Sequence, residues 1–151
     1  MDCVMLTFEK AESLLAQWKS EFRHGSFAYE DLNVNFRKLV AQHFGDSAGK
    51  AYGVYLIRQM NSEVILYIGK GGTIRGDGLF KGQDVPGRLR NVRGDDVGAD
   101  HWFRELLLEI GPLIVEYLIV EPPIAPAYLE SALLQAYLVE HKRLPLKNSA
   151  L

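Results

Sequence analysis

Two short runs of β-branched and aromatic residues, Tyr52–Arg58 and Val64–Ile68, lie either side of Asn61-Ser62-Glu63. Strand-forming runs of this length around a polar turn predict an antiparallel hairpin, and its apolar side needs helices to cover it. The flanking segments have helical periodicity. Ala11, Leu14, Leu15, Trp18 and Phe22 recur near the 3.6-residue period, with Thr7 placed to cap a first helix. Leu32, Phe36, Leu39 and Val40 predict a second helix from Tyr29 to Phe44, ended by Gly45. After the hairpin, glycines from Gly71 to Gly87 predict an irregular loop, and Pro86 suits entry into a short helix reaching Arg93. Asp100 is placed to cap a helix over His101–Ile110, Leu113–Val120 reads as a third strand, and Ala127–His141 as a long final helix. The expected fold is α/β of the α+β kind: a small three-stranded, largely antiparallel sheet flanked by helices. Residues 1–48 would form an N-terminal helical extension and residues 49–151 the main domain.

The 151 residues, 48% of them hydrophobic, suffice for one domain with a core that needs no disulfide or structural metal. Cys3 is the only cysteine, so a reducing, cytoplasmic setting is expected. The sequence contains no long apolar run and no basic flank leading into one, which argues against a membrane span or secretory signal. The net charge of −2 weighs against a nucleic-acid partner. Charge distribution matters more than the sum. Over residues 70–93, Lys70, Arg75, Lys81, Arg88, Arg90 and Arg93 face only Asp77 and Asp84, a local balance of +4. Such a run also suits an ordinary solvated face.

The sequence has no HExxH, no Cys/His pair at zinc spacing and no phosphate-binding GxxxxGK[ST] loop. Its tyrosines are more suggestive. Gly53-Val54-Tyr55 opens the first strand and Tyr67-Ile68-Gly69 closes the second, so Tyr55 and Tyr67 are expected opposite each other on one face. Tyrosine is also a favoured strand residue, and the residues alone leave open whether this pair packs or reacts.

Gly53-Val54-Tyr55 followed by Tyr67-Ile68-Gly69-Lys70 resembles the paired signature of the GIY-YIG nuclease family, with Val54 in place of the usual isoleucine. The resemblance continues in order through Arg88 in Pro86-Gly-Arg88-Leu-Arg90, Glu130 in Tyr128-Leu-Glu130-Ser-Ala, and Asn148 in Leu144-Pro-Leu-Lys-Asn148. It covers Tyr52 to Asn148. It departs from the family in a longer stretch between Tyr67 and Arg88, which makes Arg75 a competitor for the arginine role. The histidine many members carry one turn after that arginine is replaced by Asn91 or Val92, and His101 is a secondary candidate for its function. Residues 1–48 have no counterpart in the minimal family module.

The resemblance implies hydrolysis of DNA phosphodiesters by Tyr55, Tyr67, Arg88, Glu130 and Asn148. Glu130 would bind one divalent cation, Mg2+ or Mn2+, since hard cations prefer oxygen ligands. Arg88 would grip phosphate through its planar fork of donors. Lys70, Arg75, Arg90 and Arg93 would contact the nucleic acid. Tyr55 is the implied general base and Tyr67 orients the water or phosphate. A tyrosine with a pKa near 10 would need about 4 kcal/mol of differential stabilisation to ionise near pH 7, unless it relays the proton instead. A site-specific, restriction-like enzyme, compatible with a homodimer that cuts both strands, is the expected form. A structure-specific repair or recombination nuclease is the alternative, and a non-catalytic nucleic-acid-binding module is a third reading.

Overall fold

In the computed structural model, which describes residues 8–91 and 98–151, helix α1 (Ala11–Lys19) buries Ala11, Leu15 and Trp18 at helical spacing. Its N-cap is Lys10, with no side-chain capping bond. The expected cap Thr7 lies outside the described residues, and Phe22 falls beyond the helix, half-buried against the same cluster.

The helical expectation for residues 1–48 fails in the next segment. Arg23–Tyr29 is a strand, β1, and helix α2 runs only from Phe36 to Phe44. Helix start is fixed by Asn35, whose side-chain oxygen accepts a hydrogen bond from the Lys38 backbone N–H at 2.9 Å. In β1 only Phe27 and Tyr29 are buried. Its remaining positions are polar or small, as suits the exposed edge of a sheet, and they dilute the alternation in the sequence.

After a single 3-10 turn at Gly45–Ser47 come β2 (Gly53–Gln59) and β3 (Ile65–Gly71), the predicted hairpin. Two short strands, β4 (Thr73–Ile74) and β5 (Phe80–Lys81), pair within the glycine-rich stretch. Helices α3 (Val85–Leu89) and α4 (Ala99–Ile110), strand β6 (Leu113–Ile119) and helix α5 (Pro126–His141) complete the described elements. The main sheet therefore has four strands rather than three, in the order β1-β6-β2-β3, and every neighbouring pair is antiparallel. Among the described residues no helix is long and apolar enough to cross a membrane.

Each face of the sheet carries its own core. On one, Phe27, Tyr29, Tyr55, Ile57, Val115 and Ile119 pack under Phe36, Val40, Val85, Leu89, Phe103 and Leu106 from α2, α3 and α4. Phe36 and Phe103 stack there with ring centroids 3.6 Å apart. On the other, Val54, Leu56, Ile68 and Leu118 pack under Leu15 and Trp18 of α1 and Leu129 and Leu133 of α5. This second core also holds charge: buried Arg58 meets Glu12 of α1 at 2.7 Å and Glu116 of β6 at 3.5 Å. Lys19 approaches Glu116 at 2.9 Å, so α1 is tied to the sheet by ions as well as by apolar contact.

Asp100 does not cap α4, which begins two residues earlier than expected, at Ala99, with Gly98 as its N-cap. Its carboxylate instead accepts hydrogen bonds from Asn35 Nδ2 at 3.1 Å and the Arg37 backbone N–H at 2.9 Å. It therefore caps α2 from a neighbouring helix, where the unpaired N–H groups and the positive end of the helix dipole favour an anion.

Candidate active site

Tyr55 and Tyr67 share a face of the hairpin but do not stand directly opposite. Tyr55 pairs with Gly69 and Tyr67 with Ile57, so the two side chains are diagonal neighbours. Their ring centroids are 5.9 Å apart. Gly69 makes this arrangement possible: a Cβ there would lie 2.6 Å from the Tyr55 ring and its hydroxyl and 2.7 Å from the Tyr67 ring. The last residue of the Tyr67-Ile68-Gly69 motif is thus the floor on which both rings rest.

Arg88 reaches the tyrosines because α3 is clamped beside them. The buried Asp84 carboxylate caps α3 by accepting from Gly87 N–H at 3.0 Å. It also accepts from Gly49 N–H at 2.6 Å and Ala51 N–H at 3.1 Å, immediately before β2. One side chain therefore joins the helix that carries Arg88 to the entry of the strand that carries Tyr55. Gly71 completes the fit, since a Cβ on it would meet the backbone of Asp84 and Val85 at 2.3 to 2.4 Å.

Tyr55, Tyr67 and Arg88 line one cavity of about 170 Å³, together with Asn91, Trp102 and Lys147, over the apolar side chains of Ile57, Leu89 and Phe103. Trp102 meets Tyr67 edge-on at 6.1 Å between centroids. No described residue accepts a hydrogen bond from the Arg88 guanidinium or forms an ion pair with it. Arg75, the competing arginine, is instead held at an exposed position by Asp77, with contacts of 2.5 and 3.1 Å. It does not line the cavity.

Burial pushes the Tyr55 hydroxyl far above its ordinary pKa, and Tyr67 adds to the shift. Arg88 opposes it, while a hydrogen bond with Tyr67 and the charge of Glu130 raise it further. The side chain expected as general base is therefore a neutral hydroxyl in the free protein rather than a prepared phenolate.

Glu130 does not line the cavity. It is half-buried on α5, the helix covering the opposite face of the sheet, yet its charge acts on Tyr55. Asn148 lies outside the cavity as well. Its side-chain oxygen accepts from the Ile68 N–H and its amide donates to the Ile68 carbonyl, both at 2.9 Å. It pairs with the outer edge of β3 as a strand would, holding the peptide between Tyr67 and Gly69. Asn148 is thus a positioning residue for the tyrosine strand.

The expected nucleic-acid contacts are dispersed. Lys70 points to the opposite face from Tyr67, and its ammonium donates to the Gly72 carbonyl at 3.2 Å and to Thr73 Oγ1 at 3.4 Å. Arg90 is half-buried, its Nε without a hydrogen-bond partner among the described residues. Arg93 lies outside the described residues, and α3 ends at Leu89 rather than continuing to it. His101 is exposed on α4 with Glu105 at 3.9 Å, and the cavity position one turn after Arg88 is taken by Asn91.

Asp84, Trp102 and Lys147 are members or supports of the site that no motif marks. Their roles arise from contacts across the chain. Matching the chain against protein-family models, curated proteins and solved structures returns no match in any of the three.

Proposed function

We propose that this chain is a metal-dependent DNA endonuclease of the GIY-YIG type, acting at the cavity between β2, β3, α3 and α4. The observation that carries the reading is convergence. Tyr55, Tyr67 and Arg88, from three separate stretches of sequence, meet in one cavity, and the charge of Glu130 is felt at Tyr55.

The donor chemistry suits one hard cation. Among the described residues no group of three or more His, Cys, Asp or Glu could hold an ion by itself. Glu130 would be the single carboxylate ligand and, since it does not line the cavity wall, water and substrate phosphate would complete the shell between it and the site, as magnesium prefers. When bound, the cation supplies charge neutralisation at the phosphate and lowers the pKa of a water.

The chain's own residues divide the remaining work. Arg88, without a carboxylate partner among the described residues, offers both arms of its guanidinium to nonbridging phosphate oxygens, where negative charge grows in the transition state. Tyr55, kept neutral by burial, accepts the proton of the attacking water as it donates its own to the Tyr67 hydroxyl, and the half-buried Tyr67 releases its proton to solvent. This relay avoids the ionisation a phenolate base would require. Trp102 and the apolar floor limit water around the reacting group, strengthening both interactions.

The first test is incubation of supercoiled plasmid with the purified chain and Mg2+ or Mn2+. Nicked and then linear DNA should appear, and chelator should stop their formation. A digest of long duplex DNA into discrete fragments would support the site-specific form of the proposal, and cleavage confined to junctions or flaps would assign repair or recombination. Binding without cleavage under every divalent cation would leave only the non-catalytic module.

A further inference from the structure

The cavity carries a second cation that the family motif does not include. Lys147 sits on the tail after α5, where its backbone N–H donates to the Leu66 carbonyl at 2.8 Å. The next residue, Asn148, is clamped to both backbone groups of Ile68. The tail is thus fixed along the edge of β3, and this places the Lys147 side chain on the cavity wall with Tyr67 and Arg88. Among the described residues no acidic side chain lines that wall, so Arg88 and Lys147 border the space with no described carboxylate between them.

Lys147 nevertheless has a resting partner. Its Nζ lies 3.1 and 3.4 Å from the two carboxylate oxygens of Glu109 on α4. The pair is partly exposed, 29% for Lys147 and 54% for Glu109. Exposed ion pairs of this kind contribute little, so an arriving phosphate can displace the carboxylate at small cost. A lysine also has a flexible stem and a point charge, suited to exchanging partners, whereas the planar fork of Arg88 suits one oriented contact.

We propose that Lys147 is a second phosphate-binding residue of this site, taking a backbone phosphate adjacent to the one held by Arg88 and leaving Glu109 as it does so. The inference rests on the nuclease reading of the cavity and adds to it a residue and an exchange.

Fluorescence anisotropy of a short labelled DNA duplex tests it, in chelator so that no cleavage occurs and across a series of sodium chloride concentrations. Lys147→Gln should bind about 3- to 10-fold more weakly at low salt, and its slope of log affinity against log salt should be shallower by about one unit. Glu109→Gln, an exposed change on a well-packed helix, should bind about 2- to 3-fold more tightly than wild type, because the competing anion is gone. An unchanged slope for a folded Lys147→Gln, or weaker binding by Glu109→Gln, overturns the inference and leaves the nuclease reading standing. Wild-type protein that binds no duplex at any salt concentration overturns both.

Discussion

Glu130→Ala is expected to remove magnesium-dependent DNA cleavage, a loss of about 10³-fold or more, while leaving the fold and DNA binding in place. The size follows from the proposed role. A carboxylate that holds the only cation carries several kcal/mol of transition-state charge stabilisation, and each 1.4 kcal/mol or so is tenfold in rate. The fold should survive because α5 is anchored by Leu129, Leu133, Leu134, Ala136 and Tyr137, none of which is altered. Removing the carboxylate also removes a negative charge that raises the Tyr55 pKa, so that shift should become smaller in the variant. Cleavage at the wild-type rate would show that Glu130 binds no essential cation.

Tyr55→Phe has the next largest expected effect, a fall of about 10²- to 10⁴-fold in the single-turnover cleavage rate, the usual range for losing a proton-transfer group. The ring remains over Gly69, so packing is kept. The structural cost is small, because only the hydroxyl is removed and the ring keeps its contact with Tyr67 at 5.9 Å between centroids. The pH profile separates two ways in which the hydroxyl can act. Its pKa is raised from an ordinary value of 10.0, so the free protein keeps the proton on Tyr55 throughout the neutral range. A relay that starts from the neutral hydroxyl shows no Tyr55 titration between about pH 6 and 8. A rate that levels off there, with a transition that vanishes in Tyr55→Phe, would identify a phenolate base instead. Full activity in Tyr55→Phe would exclude both.

How far the sequence reveals this arrangement depends on whether a residue's role is local. The hairpin and β6 are readable because each is a short run rich in β-branched, aliphatic and aromatic residues bounded by turn residues, and α5 because a long apolar stretch follows Pro126. Strand β1 is not. Only Phe27 and Tyr29 mark its buried side, and the exposed edge tolerates His24, Gly25 and Ser26, which obscure the alternation. The tyrosine pair is legible as a motif, while its diagonal offset depends on a register that places Gly69, not Tyr67, opposite Tyr55. Arg88 and Arg75 both belong to the basic stretch, and separating them requires seeing Asp77 beside one and the cavity beside the other. Asp84, Asp100 and Lys147 act on partners 33 to 38 or 63 to 65 residues away, distances at which neither periodicity nor capping rules apply.

The opposite fates of those two arginines also define the most direct check on the site. Arg88 has no hydrogen-bond or ion-pair partner for its guanidinium among the described residues, so replacing it should disturb little except what enters the cavity. The decisive measurement is the single-turnover rate of magnesium-dependent plasmid nicking by Arg88→Ala beside Arg75→Ala and wild type. A loss of about 100-fold or more in Arg88→Ala, with Arg75→Ala near wild type, is the predicted result. Equal rates for Arg88→Ala and wild type would contradict the assignment of this cavity as the place where the phosphodiester is cut.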